Sequence, residues 1–184
     1  MLDIFSYLAA FYGLSELLLS IVKRSDKNSS WKRKDRGSMA AIWLVMFTCL
    51  TAAFFYAGKS YTFNIFSLVT GLLVYLTGMV VRWTSIFQLR KAFTVDVAVS
   101  EGQRLKTNGL YRLVRHPSYL GILLIIAGLG TGMNNIVSLL IVFVPVFLAI
   151  NYRIDVEEKL LIEFFGDEYV KYSLSTKKII PWVY

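Results

Sequence analysis

Gly109–Gly121 reads GLYRLVRHPSYLG, a basic, glycine-bounded loop that passes without a linker into an apolar run. Proline has no amide hydrogen to lose in a first helical turn, which puts a helix start at Pro117. The residue before a proline is pushed away from helical angles, so His116 belongs to the loop. Arg112, Arg115 and His116 therefore gather at the mouth of a buried helix. The N–H groups and partial positive charge of that helix end suit an anionic ligand group.

The apolar run that Pro117 opens is one of several. Of 184 residues, 56% are hydrophobic and only 17% charged, with a mean hydropathy of +0.56. These values exclude an ordinary soluble domain and point to a membrane protein. The net charge of +8 would suggest nucleic-acid binding in a soluble chain; here topology accounts for it. The lone cysteine, Cys49, permits no intramolecular disulfide. The first apolar run lacks a basic front and a small-residue cleavage site, so it reads as a retained anchor.

The expected fold is all-α, an integral membrane bundle of about five transmembrane helices: Leu2–Val22, Met39–Ala57, Ile65–Phe87, Pro117–Met133 and Asn135–Tyr152. Glu16 lies inside the first and is expected to bond a neighbouring helix. Arg82 and Trp83 mark the inner end of the third, with the cation reaching the interface. Asn134-Asn135 makes the last two a helical hairpin with a small-residue face of Gly121, Gly128 and Gly132. Pro145 is expected to kink the last span. In the polar Gln88–Ser118 segment, Thr94–Val99 suggests a short extended piece and Thr107-Asn108-Gly109 a turn.

Of 20 lysines and arginines, seven lie in Lys23–Gly37, six in Gln88–Ser118 and five from Arg153 onward, while Lys59 stands alone on the other face. That asymmetry predicts an outer N-terminus and a cytoplasmic C-terminus, in the cell membrane if the source is prokaryotic. One domain is expected, with N-terminal spans in 1–64 and a cofactor-binding catalytic region in 80–184.

The last span runs into Arg153-Ile154-Asp155-Val156-Glu157-Glu158-Lys159-Leu160-Leu161. Residues four apart share a helix face, so Arg153, Glu157 and Leu161 align while Glu158 turns away. Alone this is an ordinary ion pair on a solvated helix end. Beside the Arg-His-Pro loop, at the other end of one hairpin, it reads as part of a site.

Arg115–Gly121 (Arg-His-Pro-x-Tyr-x-Gly) followed one hairpin later by Arg153–Leu161 (Arg-x3-Glu-Glu-x2-Leu) resembles the isoprenylcysteine carboxyl methyltransferase family. That family sits within a wider group of small membrane methyltransferases that includes phospholipid N-methyltransferases. Phe165–Tyr172, Ile180-Pro181, and Gly102–Leu105 with Gly109-Leu110-Tyr111 also fit its pattern, with Gln103 where many members have histidine. The resemblance covers roughly residues 80–184. It implies S-adenosylmethionine as cofactor, a lipophilic methyl acceptor and membrane lipid as partners, and neither metal nor nucleic acid.

By the same resemblance, the cofactor contacts are Gln103, Tyr111, Arg112, Leu113, Val114, Arg115, His116, Tyr119, Leu124 and Glu157. Glu157 would suit the cofactor's ammonium, and basic and backbone N–H groups around Tyr111–His116 its carboxylate. Arg153 would be catalytic, holding the acceptor's carboxylate in line with the methyl group. A carboxylate is already ionised near neutral pH and needs no general base, which favours a cofactor-loop role for His116 over that of a base for a phenol or amine acceptor. Phospholipid, isoprenoid and polyketide-like acceptors fit the same site. A sterol-type membrane reductase using NADPH has a similar C-terminal spacing but does not explain Arg-His-Pro-x-Tyr, and a non-catalytic lipid-binding protein does not explain four site residues together.

Overall fold

The structure, a computed structural model, describes residues 2–22, 38–60, 62–90, 93 and 102–181. Among these residues six α-helices follow one another: α1 (Leu2–Val22), α2 (Ser38–Ser60), α3 (Ile65–Leu89), α4 (Pro117–Gly132), α5 (Ile136–Phe165) and α6 (Asp167–Ser175), with a 3-10 turn at Gly109–Arg112 before α4. Among the described residues the β contacts reduce to an isolated bridge between Val114 and Lys177. The expected basic loop Lys23–Gly37 and the extended piece Thr94–Val99 lie outside the described residues.

The all-α membrane reading holds, with a difference at α4. Helices α1, α2, α3 and α5 are long and apolar enough to cross a bilayer. The 16 residues of α4 cover only about 24 Å at about 1.5 Å per residue, short of a hydrocarbon core of about 30 Å. Eleven of the 16 are buried, so α4 is the central helix, wrapped by its neighbours rather than by lipid. Helix α5 is the opposite case. It continues through Pro145 and past Tyr152 to Phe165, about 45 Å, and its last turns carry the Arg153–Leu161 motif beyond the apolar stretch.

Local chemistry sets the helix starts. His116 caps α4 with non-helical angles and Pro117 begins it, as the proline predicts. Asn64 caps α3 and Asn135 caps α5, each side chain accepting two backbone N–H groups of the first turn. Asn134, at φ 49°, makes the expected turn, and its side chain accepts from Ser67 and donates to Thr62. That closes one end of the bundle; the ends of α3 and α5 and the start of α4 gather at the other.

The small face of α4 packs closely, as expected, and the structure supplies its partner. It packs on α3, not on α5. A methyl group on Gly121 would lie 2.7 Å from the backbone nitrogen of Arg82, and one on Gly71 of α3 would lie 2.7 Å from that of Gly132. Without a hydrophobic driving force between helices in lipid, such close approach is what binds them. Gly78→Ala would place its methyl 2.6 Å from the backbone nitrogen of Ile125. It should destabilise the protein by about 1–3 kcal/mol, measured by thermal unfolding in detergent. Gly13→Ala on α1, with open space around the new methyl, should leave the transition unmoved.

Arg82 corrects an expectation. It does not reach for the interface. It is buried inside the bundle, where Nε and Nη2 donate to the two oxygens of Glu16 at 2.9 and 2.8 Å and Nη1 donates to Ser118 Oγ. Glu16 thus bonds a neighbouring helix, as expected. Turning inward gives the guanidinium a carboxylate and a hydroxyl, better partners than a hydrocarbon-flanked path to water.

Candidate active site

The sequence motifs converge on one cavity at the end of the bundle where α4 begins. Helix α5 supplies Arg153 and Glu157 one turn apart, and both face Tyr119 in the first turn of α4. Arg153 Nε donates to the Tyr119 hydroxyl at 2.9 Å, and that hydroxyl donates to Glu157 Oε2 at 2.8 Å. The three side chains form a relay from guanidinium through phenol to carboxylate. Arg153 is only 5% exposed, so its charge acts in a low-dielectric setting where electrostatic contacts count for more than in water.

Glu158 turns away from the face that Arg153, Glu157 and Leu161 give to the cavity, as expected, and finds its partners on the other side. The next residue on a helix is rotated by about 100°, and that rotation aims Glu158 at the loop. Its Oε1 accepts from Arg115 Nε at 2.8 Å, His116 Nε2 at 3.1 Å and the Tyr169 hydroxyl at 3.2 Å. One carboxylate oxygen thereby joins α5, the Arg-His-Pro loop and α6.

The C-terminal segment completes the loop's support. Arg115 N–H donates to the Lys177 carbonyl at 2.8 Å and His116 N–H to that of Lys178 at 3.1 Å. Arg115 Nη1 donates to the carbonyls of Ser173 and Thr176, and the Tyr172 hydroxyl to that of Tyr111. Burial pushes the Tyr172 phenol up to about 12, and it raises those of Tyr169 and Tyr111 as well. All three therefore stay protonated donors near neutral pH.

These bonds revise the expected anion cradle. The N–H groups of Leu113 and Val114 go to the Leu110 carbonyl, those of Arg115 and His116 to the C-terminal segment, and those of Tyr119 and Leu120 to the His116 carbonyl. They are committed to backbone partners rather than offered to a ligand. The loop's basic side chains Arg115 and His116 do line the cavity, and Arg104 and Lys106 line it with Gln103 as well.

Of the expected cofactor residues, Gln103, Tyr111, Arg115, His116, Tyr119 and Glu157 line the cavity together with Arg153. Arg112 and Leu113 are exposed, Val114 is buried at its bridge to Lys177, and Leu124 is half-buried; these four are not among the cavity's lining residues. Sequence reasoning missed Lys106, Tyr169, Tyr172 and the wall from α1 and α2. The Phe165–Tyr172 motif was the available signal for the two tyrosines. For Tyr12, Ile42, Trp43 and Met46, which extend the cavity into the apolar bundle, only tertiary packing could supply one. The cavity is therefore lined both by charged side chains and by apolar and aromatic ones from α1 and α2. Among the described residues no cluster of histidine, cysteine and carboxylate side chains could hold a metal ion.

Residues 69–163, from α3 through most of α5, match the family described as isoprenylcysteine carboxyl methyltransferase (ICMT). Protein-S-isoprenylcysteine O-methyltransferase A of Arabidopsis thaliana is 35% identical over 115 residues, covering 61% of this chain and 58% of that protein. The protein-S-isoprenylcysteine O-methyltransferase of Schizosaccharomyces pombe is 28% identical over 196 residues, covering 97% of this chain and 82% of its own. A solved structure, the eukaryotic intramembrane Ras methyltransferase ICMT without a monobody, aligns with a TM-score of 0.60 at 26% identity. That alignment covers 79% of this chain and 51% of the solved one. The chain thus spans little more than half the length of the Arabidopsis relative.

Proposed function

The chain belongs to the isoprenylcysteine carboxyl methyltransferase family, and from that premise we propose that it is a membrane-embedded, S-adenosylmethionine-dependent O-methyltransferase. Its acceptor is the carboxylate of a lipophilic molecule of the S-isoprenylcysteine type. The observation that carries this reading is the Arg153–Tyr119–Glu157 relay, set in one cavity lined by both charged and apolar side chains.

The donor set fits the cofactor. Glu157 offers a carboxylate to an ammonium, and Arg104 and Lys106 offer cations to a carboxylate from another wall of the cavity. Tyr119 holds Glu157 at a fixed distance, and Glu158 holds the loop that carries His116. When bound, the cofactor supplies a methyl group on a positively charged sulfur, which keeps the bonding electron pair as an acceptor oxygen takes the methyl. Arg153 orients the acceptor's carboxylate, and the apolar wall of Tyr12, Trp43 and Met46 takes its hydrocarbon part. No side chain has to remove a proton, because the nucleophile is already an anion at neutral pH. Acceleration then rests on alignment and exclusion of water.

The site is assigned to the region 80–184 with a wall contributed by 1–64, and the C-terminus to the cytoplasmic face. The one-sided placement of lysines and arginines supports that orientation. The test is methyl transfer from labelled cofactor to an N-acetylated, S-farnesylated cysteine by the full chain in vesicles. A base-labile labelled ester is expected, with a tag after Tyr184 reached from the cytoplasmic side. Label appearing only in an amine headgroup would overturn the carboxyl assignment.

A further inference from the structure

The cavity also holds a buried guanidinium that the relay does not use. Arg82 and its partner Glu16 line the same cavity as Arg153, and they are 6% and 7% exposed. Glu16 lies on α1, outside the residues 69–163 that match the family. The bonding of Arg82 is specific: its Nε and Nη2 take both oxygens of Glu16, while Nη1 is turned to Ser118. The Nε–Nη2 edge is one that grips a planar carboxylate with two parallel hydrogen bonds, and the other is interrupted by the turn of Nη1 to Ser118. Glu16 therefore occupies the edge of Arg82 that would recognise a substrate carboxylate.

A tether between α1 and α3 needs no charge, because a well-packed apolar pair serves as well where burial is expensive for ions. We propose that Glu16 is a positioning residue for acceptor specificity. By capping Arg82 internally it prevents that buried guanidinium from competing with Arg153 for the acceptor's carboxylate. This rests on the carboxylate-acceptor reading given above. Without the Glu16 charge, an anionic acceptor would bind more tightly and be held away from the methyl group.

The experiment compares binding of N-acetyl-S-farnesylcysteine with that of its methyl ester, in the full detergent-solubilised chain with S-adenosylhomocysteine present. Glu16→Gln should raise the preference for acid over ester about tenfold, as expected for one added charge-assisted contact, and should lower kcat. Arg82→Gln added to Glu16→Gln should return the preference and recover most of kcat, and Glu16→Asp should keep the wild-type preference. An unchanged acid-over-ester ratio in Glu16→Gln would overturn the proposal, since a tether acts on both ligands alike. So would loss of S-adenosylhomocysteine binding or of folding in Glu16→Gln that Arg82→Gln does not restore. Failure of the wild type to prefer acid over ester is a different result: it refutes the carboxylate reading itself, and this inference falls with it.

Discussion

Arg153→Lys should lower single-turnover methyl transfer to a farnesylated cysteine by about a hundredfold or more, while S-adenosylhomocysteine still binds. Truncating one partner of a buried charged pair costs about 2–5 kcal/mol, and each 1.36 kcal/mol is about tenfold in rate. Lysine keeps the charge but loses the fork. It cannot bond Tyr119 through Nε, as Arg153 does at 2.9 Å, while presenting a planar pair of donors to a carboxylate. The same assay fixes the class of acceptor. For a carboxylate, with a pKa near 4, the rate should stay flat from about pH 6 to 8, and His116→Ala should alter the rate without introducing a basic limb. The phenols around the loop do not titrate in that range, since burial moves Tyr111, Tyr169 and Tyr172 upward. A rate that climbs with pH, together with a near-normal Arg153→Lys enzyme, would refute carboxyl methylation in favour of an amine or phenol acceptor.

The adjacent glutamates should separate by what they hold. Glu157→Gln is expected to weaken cofactor binding by about 2–5 kcal/mol, the cost of removing a charge opposite a buried cationic group, with little change in thermal unfolding. Glu158→Gln is expected to lower both. Its Oε1 is the shared acceptor for Arg115, His116 and Tyr169, and a neutral amide cannot hold a guanidinium and two further donors as a carboxylate does. Binding of S-adenosylhomocysteine by titration calorimetry, paired with unfolding in detergent, reads the two effects apart. An unfolding transition unmoved by Glu158→Gln would show that the loop is held without it. Equal calorimetric losses with equal unfolding shifts in both variants would remove the distinction between ligand contact and loop support.

The apolar run lengths alone determined that this chain is a bundle of membrane helices, because a bilayer core leaves the backbone no partner but itself. The His116–Pro117 boundary and the Asn134-Asn135 turn were equally legible, since each follows from the chemistry of a residue and its immediate neighbours. So was the pairing of Arg153 with Glu157 on one side of α5, which needs only the helical repeat. Tertiary structure decided what spacing cannot express: periodicity says which face is special and not which partner meets it. The glycine face of α4 found α3 rather than α5, because Gly71 and Gly78 remove the side chains that would hold the backbones apart. Glu158 became the hinge between loop, helix and C-terminal segment because a rotation of about 100° aims it at Arg115. Arg82 met Glu16 across 66 residues of chain, where a buried charge is tolerated only with its opposite at hand.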